Sequence, residues 1–357
     1  MQMWIKILLI LVLCSVCQAA QIIRYVDPDV VAGDSSGDSW INAYASLSAW
    51  EAAEETDLDT ANNYMTVYCR SLSGTQDTTS CTISGWTTSA TDYIEIIGAD
   101  FPANGIYDGT KYVLHNNDSD QYALLISEEY VRLHNIQVAV TGSGANDRRG
   151  IGVFGVGTAN IYIDSCYIKG FYTGTGVGTG INSNDADLTL TIYNTIISDF
   201  VSGTDSNFSG ITNTNSTNTY MYNCTVTNCR YAVERGGGTM TAKNCAVFNN
   251  YDDFTGTITI DYCASDDGNG TNAVDISPGA VEATEWNKAF TNYAAGDYSV
   301  KDADSVLYNA GLADLFAEDD DIIGTARPQG ASWDIGAFEY VAAAPAAGGQ
   351  LIMIQEF

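Results

Sequence analysis

A short motif recurs along the middle of this 357-residue chain and constrains its fold more than any other feature. Each copy alternates apolar and polar residues up to one small polar residue, and an apolar residue follows two or three places later. This pattern is typical of a strand, a sharp bend and a second short strand. The aligned column contains Asn135, Ser165, Asn194, Asn223, Asn244 and Tyr262, at steps of 30, 29, 29, 21 and 18 residues.

The segments between these copies are rich in Gly, Ser, Thr, Asn and Asp, as in residues 173–187 and 201–210. Such segments form loops and not helices. A constant motif with connections of variable length predicts stacked coils, that is, an all-β, single-stranded, right-handed parallel β-helix. Leucine-rich repeats also stack short strands and Asn residues, but they need a dense Leu pattern that this sequence lacks.

Two columns of the repeat carry specific structural predictions. Because stacked strands lie about 4.8 Å apart, the Asn column predicts a ladder in which each amide bonds the backbone and the Asn above it. The next column is predicted to face inward, with its thiols acting as small apolar fillers. Disulfides between neighbouring coils are the alternative. This second column contains Ile136, Cys166, Thr195, Cys224, Cys245 and Cys263.

The first twenty residues predict a signal peptide. Lys6 gives a positive start, residues 7–12 form an apolar core, and residues 17–20 are suited to cleavage. The apolar run is too short to span a membrane. We therefore expect a secreted or cell-surface protein with no membrane span. Export permits disulfides, and Cys69 and Cys81, which flank a polar loop, are the pair that we expect to be bridged.

The chain is strongly acidic, with a formal net charge of -30. Such a surface repels nucleic acid and anionic membranes. It also repels an acidic glycan unless a cation such as Ca²⁺ bridges the two. No cofactor is predicted to be required, and Ca²⁺ is the one ion that the sequence leaves open, with Asp185 and Asp187 as weak ligand candidates. The acidity is equally consistent with adaptation to a salty medium.

A β-helix needs caps, because its end strands expose unpaired edges. One amphipathic helix is predicted between residues 43 and 55, with Ala45, Leu47, Trp50 and Ala53 facing the first coil. The predicted organisation is a signal peptide (1–20), a cap with its helix (21–60), β-helix coils (61–275), further coils with a closing motif (276–340) and a flexible tail (341–357).

Both ends of the chain resemble a known group. The opening segment, residues 24–53, resembles the start of exported β-helix proteins of the pectate-lyase-like superfamily. The closing segment, residues 297–340, contains Arg327-Pro328 and the string from Asp334 to Tyr340, and it resembles a choice-of-anchor Q domain. The resemblance implies the fold and a secreted or surface setting. It implies no single reaction, because one fold supports many functions.

The resemblance also defines which catalytic residues to look for. Pectate-lyase-like enzymes remove a proton with Lys or Arg, so the basic residues of the coils are the candidates for a polysaccharide lyase. The set is Lys243 or Lys169 as base, with Arg230 or Arg235 and Asp164. Solvated surface charges are the alternative interpretation. A glycoside hydrolase is less favoured, because the adjacent pairs Asp252-Asp253 and Asp266-Asp267 are predicted in loops.

Tyrosine gives a different indication. Exposed aromatic rings on stacked coils can pack against sugar faces. Alternatively, tyrosine is simply a good strand former. The candidate sugar-binding residues, all predicted at outward or bend positions, are Tyr162, Tyr167, Tyr193, Tyr220 and Tyr222.

Two functional hypotheses follow. The first is a secreted or surface β-helix that binds, and in an enzymatic version modifies, extracellular polysaccharide. The alternative is a non-catalytic structural, adhesive or phage-associated protein. Long loops at 141–157, 170–187 and 201–218 belong to successive coils and favour a binding surface. They carry few groups suited to acid–base chemistry, which favours binding over turnover.

Overall fold

A computed structural model describes residues 19–117, 121–143, 147–155, 157–173, 176–202, 208–215, 217–276, 282–313, 315 and 320–342. Most of the predicted signal peptide and of the predicted tail lies outside these residues. Within the described part of the chain, strands from successive coils pair in parallel and form three long sheets. The chain passes from the first sheet to the second and then to the third before it returns one coil further on. The predicted parallel β-helix is confirmed.

Each of the three sheets takes one strand from successive coils. The first sheet contains Ala20–Val26, Asn63–Cys69, Ile94–Gly98, Tyr130–His134, Asn160–Asp164, Thr189–Tyr193, Asn218–Tyr222, Thr239–Lys243 and Thr259–Asp261. The second contains Val113–Asn117, Gln137–Gly142, Tyr167–Tyr172, Ile196–Ser198, Thr225–Thr227, Ala246–Phe248, Ala264–Ser265 and Val274–Asp275. The third contains Cys81–Ile83, Tyr122–Ile126, Arg148–Val153, Gly178–Asn184, Phe208–Thr214, Tyr231–Arg235 and Asp252–Thr255.

The aligned Asn column forms the bend between the first and second sheets. Its six residues all have left-handed backbone conformations, with φ between 49° and 55°. Asn adopts this conformation at lower cost than most residues, which explains the column. The predicted ladder of hydrogen bonds between the Asn side chains does not form. Asn194 donates to Asp164 at 3.2 Å, Asn244 donates to the Leu312 carbonyl at 2.8 Å, and the buried amide of Asn223 has no hydrogen-bond partner among the described residues.

Cysteine side chains fill the core as predicted, but the expected bridge does not form. Cys224, Cys245 and Cys263 are free and buried, and the Cys245 amide donates to the Cys263 sulfur at 3.4 Å. Cys69 and Cys81 are also free, so the predicted disulfide between them is wrong. Both point into the core from different sheets, where they replace small apolar residues.

A short helix closes the N-terminal end of the core. It runs from Leu47 to Glu54, and a second helix, Leu58–Ala61, follows it. Leu47 and Trp50 are buried as predicted, whereas Ala45 and Ala53 are exposed. The predicted inward positions of those two alanines are wrong. Ala45 precedes the helix. Next to Ala53, Glu54 turns toward the β-helix instead and pairs with Arg24 at 2.5 Å.

The residues after the last coil do not add further coils, which corrects the predicted organisation of 276–340. The described residues of 282–340, which we call the C-terminal strap, pack on the outer face of the second sheet. They cover Ile196, Ala246, Phe248 and Ala264. The strap contains the helix Glu282–Ala289, the antiparallel strands Phe290–Asn292 and Asp297–Val300, and the 3₁₀ turn Tyr293–Ala295. Across the described residues, every helix is too short or too polar for a transmembrane segment.

Candidate functional site

A groove of about 490 Å³ lies on the outer face of the third sheet. It crosses the strands Tyr122–Ile126, Arg148–Val153, Gly178–Asn184 and Phe208–Thr214. Its volume falls within the range of small-ligand sites. The lining includes Tyr122, Leu125, Arg149, Phe154, Asn182 and Asn184. We call it the third-sheet groove.

A glycine lies between two of the residues that line this groove. Gly152 lies in register between Leu125 and Asn182 on the neighbouring strands. A side-chain carbon placed at Gly152 would come within 2.5 Å of the Tyr122 ring and 3.0 Å of the Phe154 ring. The absent side chain therefore lets both rings lie low over the strand.

The aromatic side of the groove is held in a fixed orientation. The Tyr122 and Phe154 rings meet edge to face, with their centroids 5.4 Å apart. Arg149 donates to the Tyr122 hydroxyl at 3.0 Å, and its guanidinium also pairs with Asp147 at 3.3 Å. Burial raises the pKa of Tyr122. The phenol is therefore neutral at physiological pH and accepts a charged hydrogen bond.

Two amides lie opposite these rings. Asn182 is half-buried on the outer face, and its amide makes no hydrogen bond within the described part of the chain. The side-chain oxygen of Asn184 accepts from the side-chain amide of Asn215 on the next coil. A side-chain amide offers two donors and one acceptor. The Asn182 amide is therefore available to a hydroxyl-bearing ligand.

The groove is close to neutral although the chain is acidic. Among its described lining residues, Arg149 is the one charged side chain, and Asp147 balances it. The geometry therefore suits a neutral polar ligand with one apolar face better than it suits an ion.

A second cluster of polar groups lies on the outer face of the first sheet. His134 lies between Glu95 and Asp164 of the two adjacent coils, at 3.4 Å and 3.2 Å. Burial alone would lower the pKa of His134, but hydrogen bonds to Asp164 and Glu95 raise it to about 9. The hydrogen bond from His134 lowers the pKa of Glu95. The imidazolium thus links three coils and is a poor base at neutral pH.

Aromatic rings continue beside this cluster. Tyr64 and Tyr93 stack with their centroids 5.2 Å apart, and the Arg132 guanidinium lies 3.6 Å from the Tyr93 ring centre and 5.7 Å from that of Tyr162. Both faces of Tyr93 are therefore occupied. A sugar cannot stack on it without displacing Arg132 or Tyr64.

The candidate sugar-binding tyrosines divide into two groups. Tyr162, Tyr220 and Tyr222 are half-buried on the outer face of the first sheet, and the last two have their ring centres 6.2 Å apart. Tyr193 shares that face but is 5% exposed, and Tyr167 is 1% exposed on the second sheet beneath the strap. The predicted exposure of Tyr167 and Tyr193 is wrong. The strap that covers Tyr167 is formed by residues more than a hundred positions away.

The five catalytic candidates are not brought together. Asp164 and Lys243 share one outward column, but they are three coils apart, which corresponds to about 14 Å. Lys169 projects from the second sheet and pairs with Asp199. Arg230 stacks on Tyr251. The remaining candidate, Arg235, ends a strand of the third sheet and donates to the Gly238 carbonyl.

The acidic pairs also take structural positions. Asp252 and Asp253 begin a strand instead of lying in a loop, and the Asp253 carboxylate accepts from Asn250 and from the amide of Asp266. The described residues contain no group of three His, Cys, Asp or Glu side chains arranged for a metal ion, around Asp185 and Asp187 or elsewhere. The calcium hypothesis stays without structural support.

The residues that line the third-sheet groove were not identified individually from the sequence. Arg149, Phe154 and Asn182 do come from two of the three segments that were predicted as long loops with a binding surface. Arg149 and Asn182 lie in strands within those segments, so the prediction of loops there is wrong. The signal that could have found them is the combination of an aromatic residue, Phe154, with the small Gly152 on one outward face.

Comparisons with known proteins give one structural likeness. No family model matches this chain, and it has no match among curated proteins. Among solved structures, it is similar to the crystal structure of pectate lyase Pel9A, with 14% sequence identity, 90% of this chain and 96% of that chain covered, and a TM-score of 0.42. The assignment of a parallel β-helix rests on the strand pairing of this chain and not on that likeness.

Proposed function

We propose that the protein is a secreted or surface β-helix that binds extracellular polysaccharide through the third-sheet groove. The observation that carries this proposal is the placement of the Asn182 amide opposite the fixed rings of Tyr122 and Phe154, for which Gly152 leaves room. The extracellular setting is part of the proposal and is supported by the leader-like composition of residues 1–20.

The groove fits the chemistry of a neutral sugar. One face of a pyranose ring is apolar and packs on aromatic edges and faces, and its hydroxyls need donors and acceptors at the rim. Phe154 and Leu125 offer the apolar contact, and Asn182 and Asn184 offer the amides. A neutral ligand also avoids the repulsion that the chain's net charge of -30 imposes on acidic glycans.

The half-exposed tyrosines of the first sheet are a second candidate surface. Tyr220 and Tyr222 lie side by side, and the ammonium of Lys243 is on the next coil in the column of Tyr222. We call these three residues the tyrosine face. It suits an extended chain that carries occasional negative charge. The groove is preferred because the Asn182 amide has no partner in the described residues.

We propose binding without cleavage. In a lyase, a base must converge with groups that stabilise the carbanion, and Lys169, Lys243, Arg230 and Arg235 lie on separate parts of the coil. A lyase remains the enzymatic alternative, with Lys243 as its base. An absorbance assay for unsaturated uronate products tests it, and the Lys243→Ala variant serves as the control.

An array of neutral and acidic polysaccharides, with and without Ca²⁺, tests the proposal. We expect wild-type protein to retain at least one neutral glycan. We expect Asn182→Ala and Phe154→Ala to weaken that signal about tenfold, which corresponds to about 1.4 kcal/mol. Tyr220→Ala probes the tyrosine face, and Thr191→Ala is the matched control on the same sheet.

Each result of the array has a defined meaning. If Tyr220→Ala alone loses the signal, the binding site is on the tyrosine face. Absence of any retained glycan would reject the binding proposal and favour the structural or adhesive alternative. Binding that needs Ca²⁺ would show an acidic ligand and would reject the neutral one.

A further inference from the structure

A pocket of about 310 Å³ lies between the C-terminal strap and the bend that joins the second sheet to the third. The strap side is formed by the 3₁₀ turn Tyr293–Ala295, Gly296 and Tyr298. The coil side is formed by Lys169, Asp199, Thr227, Asn228 and Asn249. Its volume is that of a small-ligand site, and its lining residues differ from those of the third-sheet groove. We call it the strap pocket.

The coil side carries a buried hydroxyl group that no described residue pairs with. Thr227 is 1% exposed and lies in register with Ser198 of the preceding coil. Because Val226 belongs to the core, the Thr227 side chain faces outward, toward the pocket that it lines. Its hydroxyl makes no hydrogen bond within the described part of the chain. A buried polar group without a partner is costly, and a ligand hydroxyl would satisfy it.

A balanced charge pair lines the same pocket. The Lys169 ammonium pairs with Asp199, whose carboxylate also accepts from Ser198 at 2.9 Å and from Asn228 at 2.5 Å. An ammonium carries three donors, so Lys169 can bind a ligand while it keeps this contact. The exposed Asn249 lies at the same bend one coil beyond Asn228 and adds a side-chain amide. The pocket therefore offers several donors and acceptors, with no net charge among its described lining residues.

The strap side supplies an aromatic ring in a fixed position. Tyr293 is half-buried, and its ring meets that of Trp286 with the two centroids 5.4 Å apart. Trp286 is itself 5% exposed, and its indole N–H donates to Asp266 at 2.9 Å. The Tyr293 ring can therefore receive the apolar face of a ligand with little loss of conformational entropy.

We propose that the strap pocket binds a free neutral monosaccharide in its pyranose form. The hydroxyls of the sugar match the polar groups of Thr227, Lys169 and Asn249, and its apolar face matches the ring of Tyr293. An anion would meet the Asp199 carboxylate and the chain's net charge of -30, and a cation would meet the Lys169 ammonium. At about 310 Å³, against about 490 Å³ for the third-sheet groove, the pocket suits one ring and not a chain. This inference does not depend on glycan binding in that groove.

Saturation-transfer NMR with the full-length chain tests the proposal, with glucose, galactose and mannose as separate probes. We expect at least one of them to bind with an affinity in the millimolar range, because a ligand of this size makes few contacts. Thr227→Val keeps the shape of the side chain and removes the hydroxyl. We expect it to weaken the affinity about fivefold without lowering the midpoint of thermal unfolding, because no hydrogen bond within the described residues is lost. Thr191→Val, the same exchange on the first sheet, is the matched control.

Each outcome decides the proposal. Weaker binding in Thr227→Val and in Asn249→Ala, with unchanged binding in Thr191→Val, would support it. Equal affinity in wild type and Thr227→Val, or no saturation transfer from any of the three sugars, would overturn it whatever the polysaccharide array shows. Loss of the signal in Asn182→Ala with full signal in Thr227→Val would place the sugar in the third-sheet groove, which overturns the strap pocket and leaves the proposed function standing. Acetate that binds more tightly than all three sugars would overturn the neutral ligand.

Discussion

The guanidinium of Arg327 lies 3.1 Å from the carboxylate of Glu339, and both side chains are 0% exposed. Arg327 also donates to the Gly336 carbonyl at 3.0 Å, and Glu339 accepts from the amides of Gln329 and Asp334 at 2.8 and 3.0 Å. The closing motif of the sequence is therefore a buried polar lock that holds the end of the strap in one conformation. Its residues stabilise the fold and are not available to a ligand.

Removing one member of this pair is expected to destabilise the protein strongly. Arg327→Met leaves the Glu339 carboxylate buried without its partner, which costs about 3–5 kcal/mol. The measurement is the free energy of unfolding in urea. Lys288→Met is the matched control, because the Lys288–Glu285 pair is exposed and contributes less than about 1 kcal/mol. Similar losses in both variants would contradict the lock.

The left-handed bend at Asn223 predicts that a Gly variant is more stable than an Ala variant. Its φ is 51°, and its amide has no hydrogen-bond partner in the described part of the chain. Asn223→Ala is expected to lose about 1–2 kcal/mol of stability through backbone strain. Asn223→Gly avoids that strain and is expected to be the more stable of the two variants. If amide ladder bonds held the bend, both substitutions would be equally harmful.

The seven described cysteines are expected to be unreactive thiols. All seven are free and buried, and burial raises the pKa of Cys166 to about 12 and that of Cys263 well above its ordinary value. Thiolates are the reactive form. Titration of protein that lacks residues 1–20 with a thiol reagent should therefore detect almost no thiols in the native state and seven after denaturation. Detection of five thiols after denaturation would indicate one disulfide, and Cys69 and Cys81 would be the first pair to examine.

The His134 cluster predicts a loss of stability at alkaline pH. The folded-state pKa of His134 is about 9, against an ordinary value of 6.5. Because the folded pKa is raised, the stabilisation is fully present below pH 6.5 and is lost as the pH rises through 9. We expect His134→Gln to be about 2–3 kcal/mol less stable than wild type at pH 6 and nearly equal to it at pH 10. A difference that does not change with pH would contradict a charged imidazole.

The stacked coils could be predicted from the sequence because the motif that marks each coil is local and repeated. Each copy of the motif places a residue that tolerates positive φ at the same bend, so Asn194 and Asn223 mark neighbouring coils in the sequence itself. A second column of left-handed residues, Asp199, Asn228 and Asn249, was missed. It follows strands of only three residues, which are too short to show alternation.

The strap and the groove depend on contacts that the repeat does not encode. The amide of Ala337 donates to the Thr225 hydroxyl, 112 residues earlier, and no local pattern indicates that pairing. The strap then buries Tyr167, which the strand pattern had placed at the surface. The groove joins residues such as Tyr122 and Asn182 from different coils, and their register is set by strand pairing across loops of unequal length.

The most direct test of the functional account is a calorimetric titration of the third-sheet groove with a neutral oligosaccharide taken from the best-binding polysaccharide. If the groove binds the sugar, we expect one site per molecule in wild type and in Thr191→Ala. We expect the affinity to be about tenfold lower in Asn182→Ala and below detection when Phe154→Ala is added, with unchanged thermal unfolding. Full affinity in the folded double variant would contradict the assignment of binding to this groove.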